Sequence, residues 1–368
     1  MNSIPIPTIP EFEQQIREKI ENFSDRAFIF TEINEFLTRE SRGYFTLIGA
    51  PGTGKSAIFA KYAAENPHVI YYSAELRGKN QAPEFLLTLC TQLLREKLRA
   101  NGITDRAGET ITNLPDNVTE GSWFLARLLQ KISDKLPPHQ KLIITIDGCD
   151  RIDRESQPPG SNLFYLPRYL PDRVYFLLSR RPFPRDKSGL LIETPYQTLD
   201  LQQYPEQNRE DIRTYIDNSL TPYHLREEQL CQRLTDASEN NFMYLSQILP
   251  RIANNIYRET FHGQPLPPPL ESYYQSHLAR MKYPHLSTME LALLRLLAQQ
   301  KQPLSVETIA GAINEDEYDV EEALEKWREF FIEQLIDGEI HYRLYHSHFQ
   351  EWLLTQISDH FCSENVGK

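Results

Sequence analysis

The sequence predicts an α/β protein: a parallel sheet comes first, then a helical domain, then a winged-helix domain. Three observations predict it. Short apolar, β-prone runs alternate with amphipathic helical patterns up to about residue 200. One of those runs passes through a glycine-rich loop directly into a helix. Past Leu201 the strand signals stop and helical patterns take over, until a strand returns near the end behind an Asp-Gly turn.

Taken in order, residues 11–22 read as a short amphipathic helix, and Phe23 to Leu37 alternates charge and bulk at helical spacing. Tyr44-Phe-Thr-Leu-Ile48 is the first strand, followed by Gly49-Ala-Pro-Gly-Thr-Gly-Lys-Ser56 and a helix through Ala64. Further strands are expected at 68–73, 141–146 and 173–178, apolar runs of the kind a buried parallel sheet needs. Between them, helices over 83–98 and 122–136 each place Phe and Leu on one face. Residues 207–260 read as several helices, and the prolines at 265 and 267–269 as a turn or linker before a helix at 270–281. Helices are then expected at 288–299, 305–313 and 320–336, a turn at Asp337-Gly338, a strand at 340–345 and a closing helix from Phe349. The expected division is an N-terminal extension (1–22), a nucleotide-binding domain (23–200), a helical domain (201–284) and a winged-helix domain (285–368).

Composition narrows the function. The 368 residues are 40% hydrophobic and 24% charged, with a net charge of −12. That is the profile of a folded chain, and its acidity opposes wrapping nucleic acid or coating an anionic membrane by bulk charge. No apolar run approaches the length of a membrane span, and Met1–Pro7 lacks the charged and apolar regions of a signal peptide. Cys90, Cys149, Cys231 and Cys362 are too widely spaced for a zinc site or a disulfide framework, so small buried thiols in a reducing cytoplasm are expected.

The chemistry lies at the strand ends. Gly49-x-x-x-x-Gly54-Lys55-Ser56 matches the P-loop pattern between a strand and a helix. A triphosphate needs close backbone approach and many donors, which makes Gly49, Pro51, Gly52, Thr53, Gly54, Lys55, Ser56 and Ala57 the candidate ATP/ADP-binding residues. Lys55 reaches the β/γ-phosphates, and Ser56 offers a hydroxyl to Mg²⁺. Asp147, delivered to the carboxyl edge of the sheet by Leu142–Ile146, is the candidate metal carboxylate. Asp150, three residues on, either orients or deprotonates an attacking water or caps a helix. The fourth strand ends in Ser179-Arg180-Arg181, and Arg180 is the candidate group beside a γ-phosphate, with Arg181 as its substitute.

With these motifs in place, nearly the whole chain resembles the STAND class of signalling P-loop ATPases, of NACHT and NB-ARC type. Phe23-Ser-Asp-Arg26 lies where that class has its Phe-Val-Gly-Arg turn, which implies an adenine-side role for Arg26. Asp147-Gly-Cys-Asp150 is similar to its acidic strand end, with Arg151 where glutamate stands in the class, which implies slow hydrolysis. Leu178-Ser-Arg180 resembles its Thr-Ser-Arg sensor. Asn240-Asn-Phe-Met-Tyr244 is similar to its Gly-Asn-Phe-Leu-Tyr segment, which places Phe242 near the nucleotide. His346-Ser-His-Phe349 resembles its winged-helix segment, whose histidine contacts the β-phosphate of ADP, and this implies that role for His346. From the residues alone, His346 is a structural histidine or, with His348, half of a metal pair.

The expected function is a switch. ADP bound under His346 keeps the modules closed; exchange for ATP frees the winged helix for self-assembly, and slow hydrolysis acts as a timer. Effector or sensor proteins are expected in trans or from flanking domains, since none is recognisable in the chain. Three alternatives compete: a nucleotide-bound scaffold without turnover, an origin-recognition-like DNA-binding ATPase and a small-molecule kinase. Residues 305–340 carry twelve acids against Lys326 and Arg328, which opposes specific DNA binding.

Overall fold

The computed structural model describes residues 10–21, 23–24, 26–101, 114–183, 189–225, 227–254, 268–283, 285–300 and 302–364. The chain divides into two compact units. The first comprises Met1–Gly49, Gly54–Arg181 and Ser188–Gln207, and the second Ala50–Thr53, Pro182–Lys187 and Asn208–Lys368.

The first unit is built on five parallel strands: β1 (Gly43–Ile48), β2 (Ile70–Ser73), β3 (Leu142–Asp147), β4 (Val174–Arg180) and β5 (Tyr196–Asp200). Their order across the sheet is β2-β3-β4-β1-β5. β4 is buried along its whole length and β1 nearly so, as expected for strands covered on both faces. Helices α1 (Pro10–Ile20), α2 (Ala27–Arg39), α3 (Lys55–Glu65), α4 (Ala82–Asn101) and α5 (Trp123–Lys135) belong to this unit. The α/β class is therefore as the periodicity predicts, and the four predicted strands are present. The fifth strand is an addition. β5 reads Tyr-Gln-Thr-Leu-Asp and is half-exposed because it is an edge strand, so it never shows the apolar run by which buried strands are recognised.

Helix α1 is part of this unit. Phe12 is fully buried, with its ring edge-on to Tyr71 and Tyr72 at centroid distances of 6.0 and 5.4 Å. Each such pair adds to the area it buries.

In the second unit, α6 (Pro205–Leu220), α7 (Glu228–Ser238), α8 (Phe242–Ala253) and α9 (Pro268–Arg280) precede α10 (Thr288–Gln299). Strand β6 (Leu304–Ser305) leads into α11 (Val306–Ile313) and α12 (Glu317–Lys326), then β7 (Phe331–Ile336), β8 (Glu339–Leu344) and α13 (Ser347–Glu364). The sequence places its own stops. Ser287 and Glu290 form a reciprocal capping box, and Ser305 and Asp316 cap α11 and α12. One hydrophobic core runs through these elements, from Ile212 to Ile357.

Two expectations need correction here. Residues 320–336 are not one helix: α12 ends at Lys326, and 331–336 is β7, antiparallel to β8 with Ile336 opposite Glu339. The deciding signal was the Asp337-Gly338 turn, where both residues have positive φ (52° and 89°), as a two-residue hairpin requires. Pro268 and Pro269 are not linker but the first turn of α9, where a missing N–H costs nothing. The expected linker prolines at 265 and 267, and the helical reading of 255–260, lie outside the described residues.

Candidate functional site

The carboxyl edge of the parallel sheet gathers the residues that the motifs single out in the first unit. The P-loop begins where β1 ends, and the Gly49 amide donates to the Arg180 carbonyl at 3.3 Å, which ties the loop's start to β4. Gly52 and Gly54 have φ of 82° and 87°, values that side-chain-bearing residues rarely adopt. Gly54 caps α3 without a side chain, leaving the helix N-terminus open to an anion. Lys55 is buried, and its ammonium donates to the Gly49 carbonyl at 2.7 Å. Burial and then Arg181 pull its pKa down to about 8, against the pull of Asp150, Asp147 and Glu75.

Asp147 ends β3 and is fully buried. Its Oδ1 accepts from the Ser179 hydroxyl at 2.5 Å, and the same Ser179 oxygen accepts from the Gly148 amide at 2.9 Å. Its Oδ2 makes no hydrogen bond of ordinary length among the described residues. Burial and then Glu75 raise its pKa to about 6, while Lys19, Ser179 and the hydroxyl of Ser56 favour the ion. A buried carboxylate with one oxygen tethered, the other unsatisfied and a serine hydroxyl beside it is a donor set that fits Mg²⁺. Ser56 and Asp147 would hold that ion, the loop amides and Lys55 the phosphates.

Asp150 lies in a 3-10 turn, Cys149–Arg151; its Oδ1 accepts from the Arg181 amide at 3.1 Å, and Arg181 Nε lies 3.5 Å from Oδ2. Arg181 is therefore one partner of Asp150, and Arg151 Nε, 3.9 Å from the same Oδ2, is another. Arg180 is buried at the end of β4, its pKa brought down to about 10 by burial. Arg26 is also buried, its guanidinium 5.8 Å from the centroid of Phe28.

Three residues here were missed from the sequence. Ser179 holds Asp147, and a hydroxyl beside a strand-end carboxylate was available as a signal. Glu75 follows β2 and is bound by Lys19 Nζ at 2.7 Å, with Arg151 at 3.9 Å from its other oxygen. No local pattern marks Glu75 or Lys19, because strand pairing and the docking of α1 bring them in.

In the second unit, Phe242 opens α8, and its backbone amide donates to the Gly52 carbonyl at 2.8 Å. Its ring packs edge-on to Tyr215. Pro51 and Thr53 lie in the same turn, Thr53 Oγ1 donating to the Ala50 carbonyl at 2.9 Å. His346 is fully buried; its Nε2 lies 3.1 Å from the Ser238 carbonyl, and its Nδ1 accepts from the His348 amide at 3.1 Å. Burial brings its pKa down to about 4 despite the nearby Glu239. His348 Nε2 is 3.1 Å from the Tyr244 hydroxyl, so both histidines are turned to protein partners. The cysteines whose side chains are described, Cys90, Cys149 and Cys231, are buried.

Residues 26–177 match the family model of an AAA ATPase domain. Over 90% of this chain and 96% of the other, the fold is similar to a Walker-type ATPase of Pyrococcus abyssi, at 13% identity and a TM-score of 0.55. A stretch of 143 residues, 36% of the chain, is 33% identical to telomerase protein component 1 of Mus musculus. The chain spans 5% of that protein's length. It is also similar, at 16% identity and a TM-score of 0.40, to a signal transduction ATPase with numerous domains from Pyrococcus horikoshii that carries a tetratricopeptide repeat sensor. That similarity covers 90% of this chain and 43% of the other. Among the described residues, no helix is long and apolar enough to cross a membrane.

Proposed function

We propose that the chain is a nucleotide-controlled signalling switch of the STAND type, resting with ADP and self-assembling with ATP. The single observation that carries its nucleotide premise is Asp147, fully buried beside the Ser56 hydroxyl with one oxygen tethered by Ser179 and the other without a hydrogen bond of ordinary length among the described residues. Such a carboxylate is costly unless a cation completes it. Mg²⁺ bound there would shield phosphate charge; the protein's own contribution is to hold the ligands still and dry.

In this reading Lys55 and the loop amides bind both nucleotides alike and so bias neither state. Discrimination falls to Arg180 for the γ-phosphate and to the corner of the chain around His346, and a switch needs such differential contacts. Asp150 orients Arg181, which makes Arg181 a further candidate at the γ-phosphate. Turnover is slow, consistent with Arg151 standing among the acids of the site. The module boundaries at 200 and 284, the winged-helix identity of 285–368, a cytoplasmic setting and effector or sensor partners belong to the same proposal.

The test is to identify the nucleotide that co-purifies and to compare particle size with ADP and with a non-hydrolysable ATP analogue. ADP in the purified protein and larger particles with the analogue are expected. Identical monomers in both states, for wild type and His346→Ala alike, would overturn the switch. Phosphate release no greater than that of Lys55→Ala would instead favour a scaffold without turnover.

A further inference from the structure

Asn241 bonds in two directions. Its Oδ1 accepts from the Tyr244 amide at 2.9 Å and so caps α8. Its Nδ2 donates to the Pro51 carbonyl at 3.2 Å. The first two amides of the capped helix, those of Phe242 and Met243, donate to the Gly52 carbonyl at 2.8 and 3.3 Å. The approach is close: a Cβ on Gly52 would lie 2.3 Å from Asn241 Oδ1 and 2.6 Å from Nδ2. Residues 50–53 and 241–243 all belong to the second compact unit.

A P-loop binds phosphate by turning successive amides inward. In a trans peptide the N–H points opposite to the C=O of the same plane. Fixing the Pro51 and Gly52 carbonyls against Asn241 and α8 therefore turns the Gly52 and Thr53 amides the other way. The Thr53 amide donates to the loop's own Ala50 carbonyl at 3.4 Å, on the side away from α8, a long bond that a phosphate oxygen would replace.

We propose that Asn241 is a positioning residue for nucleotide binding, clamping the outer carbonyls of the P-loop so that its amides are preorganised for phosphate. The inference rests on the reading of Gly49–Ser56 as the nucleotide site. Preorganisation of this kind strengthens binding because the ordering cost is met in folding. Asparagine is the residue the position needs. Serine or aspartate would cap the helix equally well, but neither offers a donor that reaches Pro51.

Asn241→Asp and Asn241→Ser test the clamp separately from the cap in the whole chain. Amide hydrogen exchange is measured across residues 50–57 and 242–248 without added nucleotide, together with affinity for a fluorescent ADP derivative at fixed Mg²⁺. Both variants are expected to leave α8 protected, to speed exchange across 50–57, and to bind the derivative about tenfold more weakly. Wild-type exchange across 50–57 in both variants, or wild-type affinity in a variant whose loop exchange has risen, overturns the proposal. Faster exchange confined to α8 also overturns it, because Asn241 is then a cap alone. Lys55→Ala separates the premise: binding equal to wild type would defeat the nucleotide reading, while the exchange comparison still decides the clamp.

Discussion

Gly52 lacks a side chain for two reasons that act together: its φ of 82° and the Asn241 side chain against its Cα. Gly52→Ala is expected to cost about 1–3 kcal/mol in local strain and to weaken nucleotide binding, read by titration of a fluorescent nucleotide. Ser179 is the other single residue on which much depends. Ser179→Ala removes the hydroxyl that bonds both Asp147 Oδ1 and the Gly148 amide. The expected outcome is a requirement for about tenfold more Mg²⁺ at half-saturation of ATP binding, with ADP binding in EDTA unchanged. A third prediction concerns pH. His346 is held neutral, with a folded pKa of about 4 against its ordinary 6.5. Between those values the unfolded chain binds the proton and the folded chain does not. Stability is therefore full above about 6.5 and falls as pH drops toward 4. Glu239, whose pKa lies below its ordinary 4.5, extends the loss at the acid end. His346→Gln should shrink the difference in urea unfolding free energy between pH 7.5 and pH 5 by about 2 kcal/mol.

At the scale of elements, α1 carries the clearest prediction. Its Phe12 is fully buried against Tyr71 and Tyr72, and its Lys19 holds Glu75 beside the candidate metal carboxylate. Phe12→Ala is expected to cost about 3–5 kcal/mol by urea denaturation, a loss that no solvated extension would produce. The strands show why some elements were legible and others were not. β1, β3 and β4 are covered on both faces and therefore read as apolar runs. β5 and β7 are partly exposed, and Glu333 and Gln334 inside β7 gave it the look of a helix surface. Only its pairing with β8 decides it, since exposed strands draw their stability from a neighbour rather than from their own burial.

Across the whole molecule, charge excludes more than it identifies. The twelve acids of residues 305–340 fall largely on exposed positions of α12 and on the hairpin, so labelled duplex DNA is expected to be unshifted by the intact chain even at low salt. A salt-sensitive shift would revive the DNA-binding alternative. One core spanning Ile212 to Ile357 also means that the helical and C-terminal elements of the second unit stabilise one another, a coupling that no linear pattern displays.

By itself the sequence determined what depends on local chemistry: the parallel α/β class, the glycine loop between β1 and α3, the strand that delivers Asp147, and the caps that start α10, α11 and α12. These follow from residue type and spacing, because buried strands, tight turns and helix ends each demand particular side chains. Only the tertiary structure decided which groups meet across the chain. Ser179 comes to Asp147 because β4 lies beside β3. Glu75 comes there because β2 does, and Lys19 because α1 docks through Phe12. Asn241 reaches Pro51 across 190 residues of sequence. Such encounters are set by strand order and by the packing of apolar faces, which are properties of the folded whole.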